Sequence, residues 1–375
     1  MKWKITRVFG ETHDTAPSES DTISCMAFNA TGSRLAVGDC GGRVVLFDTA
    51  EGASYHSEFQ SHEADLDVCT STEIAPTITS MHWCPWGILT ANQRTVKLWS
   101  VRGSTSKLRR TYSGAHRYAV HSVSANSDGA TMLSADDLRI NMWPIDAPST
   151  QAFTILDSKP EDISTLDEVI TTASFHPRQC NEMLWATSAG NIVVADTRIG
   201  PVMRPSAGKR FGSAIRRRSS SSSSFDMYDD VTSAVTGAAF AGADGVRIIS
   251  RDYINLSVWD VRKETRPVNV WPIHRQLRDH FESLYKTEAL FDKFSCATSM
   301  SGRHIVTGTY AHSFFIVDAN NPKAEEVIER ASRDTTVPHG MIGFRQPSLH
   351  LAMHPTMPSV AVAAKYSLYV FKGFV

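Results

Sequence analysis

The chain has 375 residues, with 38 Lys plus Arg against 39 Asp plus Glu. That balance argues against nucleic acid or an anionic membrane as a partner. Six cysteines without a CxxC pair, a start at Met1-Lys2-Trp3-Lys4-Ile5 without a signal-like apolar stretch, and no run approaching ~18 apolar residues predict reduced thiols in a soluble cytoplasmic protein, with the nucleus also open.

In chain order, a first strand is expected near Trp3 to Val8. A unit then follows that returns along the sequence. It opens on an apolar strand, Ile23 to Phe28, closed by the turn residues Asn29-Ala30-Thr31-Gly32. A second strand, Leu35-Ala36-Val37-Gly38, leads through Asp39-Cys40-Gly41-Gly42 into a third, Arg43-Val44-Val45-Leu46-Phe47-Asp48. Further third strands are read at Thr95 to Ser100, Arg139 to Trp143, Asn191 to Asp196, Leu256 to Asp260, Ser313 to Asp318 and Ser367 to Phe371. Their first strands lie at Ile78 to Trp83, Val120 to Ser124, Val169 to Phe175, Val235 to Phe240, Phe294 to Thr298 and Leu349 to Met353. A four-stranded unit cannot bury both its faces alone and must stack on neighbours. The expectation is an all-β, seven-bladed β-propeller of WD repeats forming a single domain over 1–375, the N-terminal strand completing the last blade.

Two segments break the repeat. Residues 204–224 carry Arg216-Arg217-Arg218 and a run of serines without an acid. They read as a disordered basic loop, with Ser219, Ser220 and Ser221 as phosphorylation candidates behind the arginines. Apolar residues at Ile273, Leu277, Phe281 and Leu284 predict a short amphipathic helix within 272–294.

Catalytic signatures are missing: there is no GxSxG, P-loop, HExxH or Cys/His cluster with metal spacing. No enzyme activity, metal or cofactor is expected. His176 and His354, each before a proline, read as structural. In Asp136-Asp137, neighbouring side chains on an extended chain point apart, which disfavours paired acid–base work. An acid in such a turn can equally fix the corner through backbone hydrogen bonds.

Several blocks carry a resemblance. They are Phe59-Gln60-Ser61-His62-Glu63, Ser134 to Trp143, Glu168-Val169-Ile170-Thr171 with Phe175-His176-Pro177, and above all Arg251-Asp252-Tyr253, Trp259-Asp260, Arg266-Pro267-Val268, Ser283-Leu284-Tyr285 and Phe291-Asp292-Lys293-Phe294. From about residue 21 onward the chain resembles the B-type WD-repeat regulatory subunits of protein phosphatase 2A. The resemblance implies a regulatory protein without chemistry of its own, bound to the phosphatase scaffold and catalytic subunits and recruiting phosphoprotein substrates through an acidic groove. The matching positions are Glu19, Asp136, Asp137, Tyr285, Glu288, Phe291 and Lys293. Three departures stand against this pattern. The long scaffold-gripping hairpin after Trp99 is largely absent, since His116 follows closely; Cys40 and Lys286 replace a lysine and an acid; and 204–218 is basic where relatives tend to be acidic. The alternative is a WD-repeat interaction scaffold in a phosphatase-independent assembly.

Overall fold

The computed structural model describes residues 2–10, 17–50, 52–67, 71–146, 151–200, 202–203, 208–212, 231–274, 285–286, 292–310, 313–329 and 347–374. Seven four-stranded sheets, each a meander of strands consecutive in sequence except the last, make up the β-propeller. In the last sheet the N-terminal strand Lys2–Phe9 pairs antiparallel with Ser367–Phe374, so Lys2 lies opposite Phe374 and Phe9 opposite Leu368. The expected third strands fall within a residue or two of those observed, from Arg43–Asp48 in blade one to Ser313–Asp318 in blade six.

Second and third strands are largely apolar because both sheet faces are covered. Leu35, Ala36, Val44 and Leu46 of blade one are fully buried, as are Met183, Leu184 and Ala186 of blade four. Some corners between these strands use a residue at positive φ, among them Gly42, Gly190 and Lys365. At Gly42, φ is +84° and a β-carbon would collide with the His62 carbonyl.

The described residues divide into two compact units, one of Glu11–Trp185 with Val193–Lys209, the other of Met1–Gly10, Ala186–Ile192 and Arg210–Val375. Inside each, hydroxyls on first strands stitch one blade to the next. In the former unit, Ser24 Oγ donates to the Ile78 carbonyl (2.6 Å) and Ser80 Oγ accepts from Val123 N–H (3.1 Å). Ser122 and Ser124 accept from Ala173 and Phe175 (both 3.1 Å). In the other, Thr236 Oγ1 donates to the Phe294 carbonyl and Ser295 Oγ accepts from Leu351 N–H. These bonds use the N–H and C=O groups that a first strand leaves free on its unpaired edge.

The expected 204–224 loop is corrected at one point. Lys209–Phe211 form the outer strand of the blade-four sheet, because Phe211 is fully buried and its ring packs edge-on to Trp259 at 6.1 Å. That single apolar anchor is outweighed in the sequence by the surrounding charge. Ser219, Ser220 and Ser221 lie outside the described residues. Of the expected helix within 272–294, Pro272 instead ends a strand, Asn269–Pro272, Tyr285 and Lys286 are helical, and 275–284 and 287–291 lie outside the described residues. Deleting 213–224 should leave one cooperative thermal transition, checked by calorimetry. Two separated transitions would show that the compact units unfold independently.

Candidate functional site

Blade three shows what the Asp136-Asp137 pair does. Asp136 is fully buried at the corner between the second and third strands. Its Oδ1 accepts from the backbone N–H of Leu138 (2.9 Å) and Arg139 (2.7 Å), and its Oδ2 lies 2.9 Å from His116 Nδ1. His116 Nε2 lies 2.6 Å from Ser134 Oγ, which accepts from the Trp143 indole at 2.7 Å. Burial works against the Asp136 carboxylate, but the His116 and backbone hydrogen bonds outweigh it and hold its pKa below the usual range. Asp136 therefore ties four parts of one blade together and does not face a groove; the assignment of Asp136 as a substrate contact is corrected. Asp137, its neighbour in the bend that follows, is half-buried.

Acids gather at this end of blades one to three. Ser158 N–H donates to the Leu138 carbonyl and Ile170 N–H to that of Asp137, so both ends of the 158–170 loop are fastened to the Asp137 corner. The loop exposes Glu161, Asp162 and Asp167, with Ile163 at 55 % exposure. At blade one, Glu19 is exposed in a one-turn helix, Glu19–Asp21, stapled to the Asp39–Gly42 corner through Gly41 N–H to Ser20 O and Cys40 N–H to Thr22 O. Between blades one and two, the two-stranded hairpin Asp65–Asp67 and Thr72–Ile74 exposes Asp65 and Glu73 beside Leu66, 57 % exposed.

Most basic side chains at these corners are engaged, although Arg117 and Lys159 are exposed. Arg43 binds Asp39 (2.9 Å) and Asp21, Arg94 binds Asp67 (3.4 Å), Arg139 binds Asp157 (2.9 Å), and Lys97 donates to the Ser61 carbonyl (2.8 Å). The remaining carboxylates set the field, an arrangement that attracts cationic segments and offers Leu66 and Ile163 as apolar anchors. Sequence reasoning missed Asp65, Glu73, Glu161, Asp162 and Asp167. The available signal was the position of their loops: each leads from an outer strand to the next first strand and so emerges at the Asp137 end.

Of the other expected contacts, Tyr285 (54 % exposed) and Lys293 are exposed, whereas Glu288 and Phe291 lie outside the described residues. The Arg251-Asp252-Tyr253 motif is a packing device. Arg251 is fully buried, its guanidinium 5.5 Å from the Phe294 ring and its Nη2 3.1 Å from His274 Nδ1, while Asp252 accepts from the N–H of Ile254 and Asn255. His176 and His354 are structural, as expected: each Nδ1 accepts from two backbone N–H groups that follow it, of Arg178 and Gln179 and of Thr356 and Met357. Among the described residues, no three His, Cys, Asp or Glu side chains are placed to hold a metal, and no helix is long and apolar enough to cross a membrane.

Residues 7–48 match the family model described as WD domain, G-beta repeat. The chain is 32 % identical over 99 % of its length to the B-type regulatory subunit of protein phosphatase PP2A from Schizosaccharomyces pombe, of which the match covers 97 %. It is also 32 % identical to the PP2A 55 kDa regulatory subunit of Drosophila melanogaster (99 % of this chain, 87 % of the relative). To the phosphatase 2A regulatory subunit sur-6 of Caenorhabditis elegans it is 31 % identical (99 % and 90 %). In fold it is similar to the β-propeller domain of Myceliophteria thermophila Cps50 (Swd1), with a TM-score of 0.64, 15 % identity and full coverage of both chains. Chaetomium thermophilum Raptor gives the same TM-score at 13 % identity, over 94 % of this chain and 28 % of that one.

Proposed function

The chain belongs to the B-type WD-repeat family of protein phosphatase 2A regulatory subunits, and from that premise we propose that it binds the scaffold–catalytic core and recruits phosphoproteins whose phosphosites are flanked by Lys or Arg. The observation that carries the recruiting role is the end of blades one to three, where Glu19, Asp65, Glu73, Asp137, Glu161, Asp162 and Asp167 gather while Arg43, Arg94 and Arg139 are ion-paired and the exposed cations Arg117 and Lys159 are outnumbered. Carboxylates spread over separate blades add their potentials, so a cationic segment is favoured without any single strong contact. Tyr285 and Lys293 belong to this proposal as substrate contacts, with Glu288 and Phe291, and the assembly is cytoplasmic. The chain supplies binding only; the chemistry belongs to the catalytic partner.

Replacing Asp137 and Glu161 together by lysine should weaken binding of a basic phosphopeptide about tenfold to hundredfold, each site contributing on the order of 1 kcal/mol. Thermal midpoint and core binding should not change. Titration with the purified core tests the assembly step. One observation favours the phosphatase-independent reading: Val96–Arg102 and Thr105–Tyr112 are joined through Gly103 and Ser104 alone, which makes a compact hairpin. Affinity resides in a few anchors more than in area, so binding in the micromolar range is the expected result. No association at tens of micromolar would transfer the chain to another assembly.

A further inference from the structure

At the opposite end of blades one and two lies a second surface of the reverse charge. A groove of about 550 Å³ runs between the Asn29–Arg34 turn, the Cys84–Gly87 turn and the half of the Val96–Tyr112 hairpin nearest its turn. We propose that it binds an acidic peptide segment of a partner protein, with an apolar residue of that segment on Trp86 and its carboxylates on Arg102 and Arg109.

The charge pattern argues for this occupant. Three arginines line the groove and no acid does. Arg102 and Arg109 are exposed, and Arg34 is ion-paired with Asp48 at 3.5 Å while His56 approaches the same carboxylate at 2.7 Å. Arginine forks match carboxylates two bonds at a time, so Arg102 and Arg109 are suited to acidic residues rather than to a neutral peptide.

The aromatic floor supplies the rest. Trp86 is 45 % exposed, unusual for so large an apolar side chain, yet it is fixed: its indole N–H donates to the Gly129 carbonyl at 2.9 Å, and Arg109 lies 5.7 Å from its ring centroid. Trp83 forms the wall, held by a 3.0 Å bond to the Ala27 carbonyl. At Gly87, φ is +144° and a β-carbon would overlap the Trp99 carbonyl, so the turn carrying Trp86 sits tightly on the hairpin. Tryptophan and arginine are the residues most enriched where binding energy concentrates, and side chains already held in place lose little freedom on binding.

This goes beyond the proposed phosphatase role and is tested without any phosphatase component. The probe is a fluorescein-labelled peptide, Gly-Ser-Glu-Glu-Leu-Glu-Glu-Ser-Gly, titrated with the full chain and followed by anisotropy beside a copy with lysines for glutamates. The acidic peptide should bind and the basic copy should not compete. Arg102→Glu with Arg109→Glu, both on exposed side chains, should weaken binding about tenfold to hundredfold with the thermal midpoint unchanged. Trp86→Ala should weaken it comparably, whereas Asp137→Lys with Glu161→Lys should not. No binding by the native chain, equal binding of the basic copy, or full affinity in the Arg102→Glu, Arg109→Glu protein would overturn the proposal. Concentration-dependent self-association lost in that variant, without peptide binding, would assign the groove to a second copy of the chain instead.

Discussion

Asp136→Ala should destabilise the protein by about 3–5 kcal/mol, the range for removing one member of a buried, hydrogen-bonded charge network. The substitution strands His116 Nδ1 and the N–H groups of Leu138 and Arg139, all bonded to the carboxylate in the native blade. Each buried polar group left without a partner costs about 1–3 kcal/mol. The loss passes to Ser134 and Trp143, because His116 orients the hydroxyl that the indole bonds. Asp137→Ala, one residue on and half-buried, should cost much less. Urea titration of both, with unchanged slopes, separates a change of stability from a change of the unfolded state. Equal costs at the two positions would show that the corner network is not what holds blade three together.

The contrast between those two aspartates shows where the sequence stops being legible. The repeat of apolar strands declared the architecture, because strands covered on both faces must be largely apolar and must recur. The N-terminal strand was legible for the same reason, since a last sheet of three strands would leave an open edge beside Ser367–Phe374. Which of Asp136 and Asp137 turns inward is set at a tight corner between strands, where the alternation of an extended chain does not apply. His116, which settles the matter, lies outside the strands, before the first strand of its blade, as His62 and His274 do in theirs. The stitching serines and threonines were also illegible, since Ser122 and Ser124 look like polar residues on a solvated strand until the edge they bond is in place. The acidic end was half-legible. Glu19 and Asp137 came from family resemblance, whereas Glu161 and Asp65 required knowing at which end of the blades their loops emerge.

The two charged surfaces have a common origin in strand direction. Corners between second and third strands, and loops between outer and first strands, come out at the Asp137 end, where the acids collect. The turns that follow first strands come out at the other, with Arg34 and Trp86. A chain of near-zero net charge can therefore present opposite fields to different partners, a property invisible in its composition.

Acidification from pH 7 to 5 should destabilise the protein by about 2–4 kcal/mol net, through histidines that the fold keeps neutral. His62 is buried at 1 % exposure. Burial, and then the nearby Lys97 ammonium, push its pKa from the ordinary 6.5 down to about 4. Burial alone takes His82 and His350 to about 4 as well, and His274 well below its ordinary value, where the Arg251 charge adds to the effect. Between pH 6.5 and 4 the unfolded chain takes up protons at these rings and the folded chain does not, so stability falls as pH falls. For His62 the linkage amounts to about 2 kcal/mol at pH 5. His82 and His350 count for less, because each keeps part of its surface open to water. Asp292 works in the opposite sense: burial raises its carboxyl to about 6, so the folded state gains roughly 1 kcal/mol as it protonates first. The measurement is the urea midpoint at constant ionic strength from pH 7.5 to 4.5, for the native chain and for His62→Gln. The variant should flatten the curve by close to one proton between pH 6 and 5. A pH-independent midpoint in the native chain would mean that these rings are reached by water and protonate in place.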